Sequence, residues 1–167
     1  MFIIIPITTA NAQNEEYTIK TVYIEKFTRF ITWPDSILTS NTDKPLVFSI
    51  YGDTPISEIA SEIFSTHTIK GKKVEFRQLN NLDDVGSSHI LFIGEIDEKE
   101  LEKLLVTLSG KPILTIGDTK NYEKKGVMIN FIITGGRINF VINKVSINKT
   151  PLHFSHLLLK QAAKLIK

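Results

Sequence analysis

Three short apolar runs in the middle of the chain end alike. "PLVFSIYGD" stops at Gly52-Asp53, "HILFIGE" at Gly94-Glu95 and "PILTIGD" at Gly117-Asp118. Each run is almost continuously apolar, as strands buried on both faces of a parallel sheet must be. Helical patterns separate them. Residues 55 to 65 open on Pro55 behind Thr54, a favoured first-turn proline. Residues 97 to 108, "DEKELEKLLVTL", put acids in the first turn and Leu101, Leu104, Leu105 and Leu108 on one face. "KKVEFRQL" alternates more and reads as a further, amphipathic strand. Strand, helix, strand, helix, strand implies right-handed crossovers and a three-layer α/β sandwich.

The two flanks have other patterns. Residues 17 to 33 read as a helix with Ile19, Tyr23, Phe27, Phe30 and Ile31 on one face and Lys20, Glu25 and Arg29 toward water. Pro34 disfavours helical geometry at Trp33 and so ends the helix there. Near the other end, "GVMINFIITGGRINFVIN" holds two β-runs joined by Gly135-Gly136, the signature of a hairpin with a primed turn. The tail "FSHLLLKQAAKLIK" reads as helix, capped by Ser155, with Thr150 before Pro151 as the alternative cap. The expected fold is therefore α/β: a three-layer sandwich, mainly parallel, with a C-terminal antiparallel hairpin and flanking helices. At 167 residues it fits one domain.

The first residues, "MFIIIPITTANAQ", hold an apolar run from Phe2 to Ile7 and then Ala10-Asn11-Ala12, the small-residue pattern of a signal-peptide cleavage site. The expectation is export, cleavage after Ala12, and a single domain over 13–167. The run is short and no Lys or Arg precedes it, so residues 1–12 would be a truncated signal peptide; the competing reading is a first β-strand. No stretch approaches the roughly 20 apolar residues that a membrane span needs.

Several functions find no support. A net charge of +2 is too weak to propose nucleic acid as a partner. The absence of cysteine removes disulfides, thiolate metal sites and a cysteine nucleophile. No glycine-rich phosphate loop succeeds any strand. His153 and His156 could share a helical face, but no Asp or Glu occurs after Glu123 to complete a triad or metal set. No catalytic residue, metal or cofactor is expected.

Two constellations remain. Ligands of parallel α/β sheets sit beyond the carboxyl ends of the strands. Gly52, Asp53, Gly94, Glu95, Gly117 and Asp118 would line such a crevice, with the three acids as its rim. The alternative is that Asp53 and Asp118 are caps for the next segment of chain, helped by Thr54 and Thr119. The second constellation is electrostatic. From Lys124 onward there are eight Lys or Arg residues and no acid, whereas the preceding 123 residues hold 12 bases and 18 acids. Arg137, Lys144 and Lys160 belong to this basic end, which could dock an acidic partner or an anionic membrane surface without inserting. A scatter of solvated lysines is the plainer reading.

The order of these pieces resembles the YfiR family of exported α/β proteins of Gram-negative bacteria. The resemblance is carried by "VYIEKFTRFITWP", "HILFIG", "GKPILTIGD", "GVMINFIITGGRINFVIN" and "SHLLLKQA", in order from about residue 17 to the C-terminus. It implies a non-enzymatic periplasmic regulator, working as a homodimer, that binds the periplasmic domain of a membrane diguanylate cyclase and holds it inactive. Cyclic-di-GMP and biofilm formation would fall as a result. Some members carry cysteine pairs that support folding or tune activity; this chain has none, so packing must supply its stability. In a helix that caps a sheet, Phe27 and Phe30 would be core. Trp33, at the helix end, would be the aromatic left partly exposed to touch a partner. The alternative function is a small-ligand sensor using the strand-end crevice.

Overall fold

The computed structural model describes residues 8–34 and 44–167. Seven strands form one sheet: β2 (Leu46–Tyr51), β3 (Val74–Leu79), β4 (Ile90–Ile93), β5 (Leu114–Gly117), β6 (Ile129–Thr134), β7 (Arg137–Asn143) and β9 (Lys164–Ile166). Their order is β3-β2-β4-β5-β6-β7-β9. All neighbours are parallel except the β6–β7 hairpin. Gly135 and Gly136 both take positive φ, 58° and 70°, as the expected primed turn requires. The apolar run Phe2–Ile7 lies outside the described residues.

Every residue of β2, β4 and β5 is buried, because helices cover both faces. On one face lie α1 (Thr8–Arg29) and α2 (Ile56–Thr66), with Phe48, Ile50, Phe92, Ile116 and Phe131 beneath them. On the other lie α3 (Glu98–Leu108), a 3-10 turn at 82–87 and the short α4 (Tyr122–Lys125), over Tyr51, Leu91 and Ile93. Asp97 caps α3 by accepting from the Glu100 N–H at 2.9 Å. This is the three-layer α/β architecture expected from the repeated runs.

Helix α1 departs from the sequence reading in three ways. It begins earlier, at Thr8, and ends at Arg29, before Phe30. Its buried face is Lys20, Thr21, Ile24, Phe27 and Thr28, with Ile31 just beyond; Ile19 is exposed and Phe30 only half-buried. Thr21 and Thr28 satisfy their hydroxyls on the helix backbone, at Tyr17 O (2.8 Å) and Glu25 O (2.6 Å). The polar residues can therefore turn inward. Third, the chain after α1 runs extended as β1 (Ile31–Thr32), paired antiparallel with β8 (His153–Phe154). Trp33 comes after this strand and turns into the main core, 2 % exposed, with the Lys70 ammonium 5.8 Å from its ring centre. The expectation of a partly exposed Trp33 is thus corrected: the helix stops four residues before it.

The tail is also corrected. After the short α5 (Lys144–Ile147), Ser155 caps a helix, α6 (His156–Gln161), accepting from the Leu157 N–H at 3.2 Å. Residues 164–166 then form β9 on β7, anchored by an Ala163 N–H to Phe140 O bond of 2.9 Å. Ala162-Ala163 favours helix locally, but β7 would otherwise be left as an open edge.

Phe27 is the aromatic anchor of α1. Its ring stands 4.7 Å from that of Phe140 and 5.7 Å from that of Phe131, centre to centre. Phe27→Ala should cost about 3–5 kcal/mol in chemical denaturation, the range for a buried aromatic truncation. Phe30→Ala, at a half-buried position, should cost about 1–2 kcal/mol. Equal losses would place both rings in the core and contradict the observed helix rotation.

Candidate functional site

The chain leaves β2, adds β3 outside it, and returns through β4 on its other side. A crevice at the carboxyl ends is expected where the order reverses in this way. Here the backbones close that gap. The Gly94 N–H donates to Tyr51 O at 2.8 Å, and the Glu95 N–H to Asp53 O at 2.9 Å, so Asp53 and Glu95 form a bridge beyond the strands. A Cβ at Gly94 would collide with the Asp53 carbonyl. Gly52 has φ +89° and a notional Cβ only 2.7 Å from Ile96 Cγ2. These glycines admit neighbouring chain, where the sequence reading had them admit a ligand.

The cleft lies above that bridge, under the first turns of α1, with a volume of about 690 Å³. Asp53, Glu95 and Asp118 all line it, as do Glu16, Tyr17 and Lys20 from α1. The three rim acids from the sequence are therefore brought together; Gly52, Gly94 and Gly117 lie behind them. Neither aspartate caps a helix. Asp53 bridges to Glu95, and Asp118 takes the Lys20 ammonium at 2.7 Å.

Lys20 is the residue that the sequence reading misplaced. Expected in water, it is 4 % exposed and held between Asp118 and Glu16, the latter at 2.5 Å, with its ammonium 4.2 Å from the Tyr17 ring centre. The signal was available in spacing: Tyr17, Lys20, Ile24, Phe27 and Ile31 recur at threes and fours. Burial, and then the Asp118 carboxylate, keep the Tyr17 phenol protonated well above its ordinary range. The cleft therefore offers a phenol donor, the paired Lys20 ammonium, a second lysine in Lys120, and several carboxylates. Among the described residues no group of three or more His, Asp or Glu side chains could hold a metal ion.

The basic candidates are dispersed. Arg137 opens β7 and Lys144 lies just past its end, so the strand holds them about 20 Å apart. Arg137 sits at the carboxyl end of the parallel strands and Lys144 at the opposite end. Lys160 is exposed near the end of α6. β6 pairs with the end of β5 at Asn130 and continues to Thr134, so the hairpin overshoots the sheet by four residues, about 13 Å. Its Ile133 is 60 % exposed. A second groove, of about 600 Å³ beside α3 with Leu101, Leu105 and Met128 on its walls, contains none of the candidates.

Removing one member of a buried ion pair strands the other. Lys20→Met should lower stability by roughly 3 kcal/mol, the low end of the range for buried pairs because Glu16 can hydrate. Lys20→Met with Asp118→Asn should recover part of that loss. A single variant as stable as wild type, in urea denaturation at pH 7, would show that the pair does not hold α1 in place.

Comparison with known proteins gives a structural and a family match. The fold resembles a crystal structure of the ABC domain in complex with L-Trp from Streptococcus pneumonia, with a TM-score of 0.54 and 13% identity over 85% of this chain. The chain spans 60% of that protein's length, and the likeness at this identity concerns the fold alone. The family model described as YfiR/HmsC-like matches residues 17–163, from the cleft-lining turn of α1 to the residue before β9. The chain belongs to the YfiR/HmsC-like family.

Proposed function

We propose that this is an exported, periplasmic regulatory protein that represses a membrane-bound sensor, a diguanylate cyclase, by binding its periplasmic domain. Lower cyclic-di-GMP and less biofilm would result. The observation that carries the reading is the family match across residues 17–163. Among the described residues no helix is long and apolar enough to cross a membrane, which is compatible with export after cleavage behind Ala12.

The carboxyl end of the sheet is the surface that best suits a partner. Tyr23 lies against Phe131, with ring centres 6.2 Å apart. One turn earlier on α1 is Ile19; two residues further along β6 is Ile133. These steps are about 6 Å each and run the same way, so the two meet at one level. Ile19, Val22 and Ile133 are all exposed. They form an apolar patch on the α1 side of the hairpin, while Arg137, paired with Thr134, lies just past the turn and points to the opposite face. A homodimer is compatible with this arrangement. The polar cleft beside the patch favours a second reading: a small ligand there could shift the population able to bind the cyclase.

The test begins with capture of the partner from inner membranes on the mature domain, identified by mass spectrometry. Association is then measured at low and high ionic strength. Arg137→Glu should slow association at low salt and weaken its salt dependence, while Lys144→Glu, at the far end of β7, should leave both unchanged. Equal effects of the two reversals would assign the attraction to the general charge of the basic end. Absence of any cyclase among the captured proteins would remove the repressor reading.

A further inference from the structure

The groove beside α3 lies on the face of the sheet away from α1, and its volume of about 600 Å³ is that of a small-molecule site. Leu101, Leu105 and Leu108 of α3, with Met128 just before β6, give it apolar walls. Thr115 reaches it from the middle of β5. Leu114 and Ile116 belong to the core under α1, so strand alternation turns Thr115 to the α3 face. Gly126 ends α4 at φ +124°, and a notional Cβ there would stand 3.2 Å from Leu105 Cδ1. The missing side chain thus leaves space between α4 and α3. The groove shares no lining residue with the strand-end cleft and is independent of the partner reading.

Thr115 supplies the directional group. It is 2 % exposed, and its hydroxyl is only half used. Oγ1 accepts from the Met128 N–H at 3.0 Å, but the hydroxyl proton has no acceptor among the described residues. Thr150, also in the lining, has spent both roles: it donates to Ile147 O at 2.9 Å and accepts from the Leu152 N–H at 3.3 Å. A buried donor without an acceptor costs stability, which a ligand oxygen would return. The charges stand at the rim and balance. Lys125, at the end of α4, meets Glu98 in the first turn of α3 at 2.9 Å. Glu102 and Lys149 are exposed, with no ion-pair partner among the described residues. Two acids and two bases leave no excess of either sign.

We propose that this groove binds a neutral, largely apolar molecule through one carbonyl oxygen, which accepts the Thr115 hydroxyl proton while the leucines cover the hydrocarbon body. The buried donor places the acceptor inside the groove, and the balanced rim gives no advantage to a charged head group. A carboxylate would lose its hydration against a single neutral donor. An ammonium, which has only donors, would leave the hydroxyl proton unpaired. The class is that of medium-chain ketones, esters and amides.

The chain has two methionines, Met1 and Met128, so methyl-¹³C methionine labelling of the full-length protein puts one reporter on the groove wall. The labelled protein is titrated at pH 7 with 2-octanone, octanoate and octylammonium, which share a chain length. Saturable shifts of the Met128 methyl are expected with 2-octanone, with an affinity at least about tenfold higher than for either ion. Ser146 lines the groove and its hydroxyl has no hydrogen-bond partner among the described residues, so Ser146→Phe fills the space without breaking a bond. It should keep the wild-type melting temperature and abolish binding. Thr115→Val removes the donor, together with the acceptor of the Met128 N–H, and should weaken 2-octanone binding about tenfold. Thr115→Ser retains both and should bind like wild type. Should the valine variant fail to fold, the ion comparison and Ser146→Phe decide alone. No saturation with 2-octanone, an ion bound as tightly as the ketone, undiminished binding by a folded Ser146→Phe, or equal binding by folded Thr115→Val and Thr115→Ser would each overturn the proposal.

Discussion

The Lys20 ammonium lies almost fully buried between Asp118 and Glu16. Two carboxylates and a facing Tyr17 ring compensate a charge that could not otherwise leave water. Because Asp118 comes directly after β5, the ion pair fixes how far α1 is rotated and where its first turns lie. That rotation directs Phe27 between Phe131 and Phe140. It also leaves Ile19 and Val22 in solvent beside the overshooting hairpin. The cleft, the apolar patch and half of the main core all depend on this one orientation.

The two ends of the sheet then take different characters. At the carboxyl end, backbone pairing of Asp53 with Glu95 fills the space that the reversed strand order would open, and α1 roofs the remainder. The polar cleft and the apolar patch lie at that end, with Arg137 on the opposite face of the hairpin. At the amino end, His89 ties the start of β4 to β2 through both its backbone and its ring.

Much of the architecture was legible because continuous apolar runs, Gly-acid endings and a Gly-Gly hairpin leave few alternatives. The sheet, the hairpin turn, α2, α3 and the Ser155 cap arise from local chemistry. The illegible parts depend on partners distant in sequence. Lys20 and Asp118 are 98 residues apart, so a lysine among aromatics looked like a solvent-facing residue. A face drawn through Ile19, Tyr23, Phe27 and Phe30 differs from the buried one by a rotation toward Ile19. Pro34 points to a helix end at Trp33, although the helix stops four residues earlier. The last strand was hidden because Ala162-Ala163 favours helix while the need to cover β7 is tertiary. The rim acids were found, but the glycines behind them serve chain packing, and His89 gave no local sign of its bond to Val47.

Contact between a membrane cyclase and the carboxyl end of the sheet, rather than its flank, is open to direct test by site-specific photocrosslinking in the native host. The probe is placed at Ile133 and, as a control, at Glu62 on the exposed side of α2. An adduct from position 133 that contains an inner-membrane diguanylate cyclase is expected, and none from position 62. Cyclase adducts from position 62 alone, or adducts from position 133 that contain only proteins of other classes, would contradict a contact at the carboxyl end.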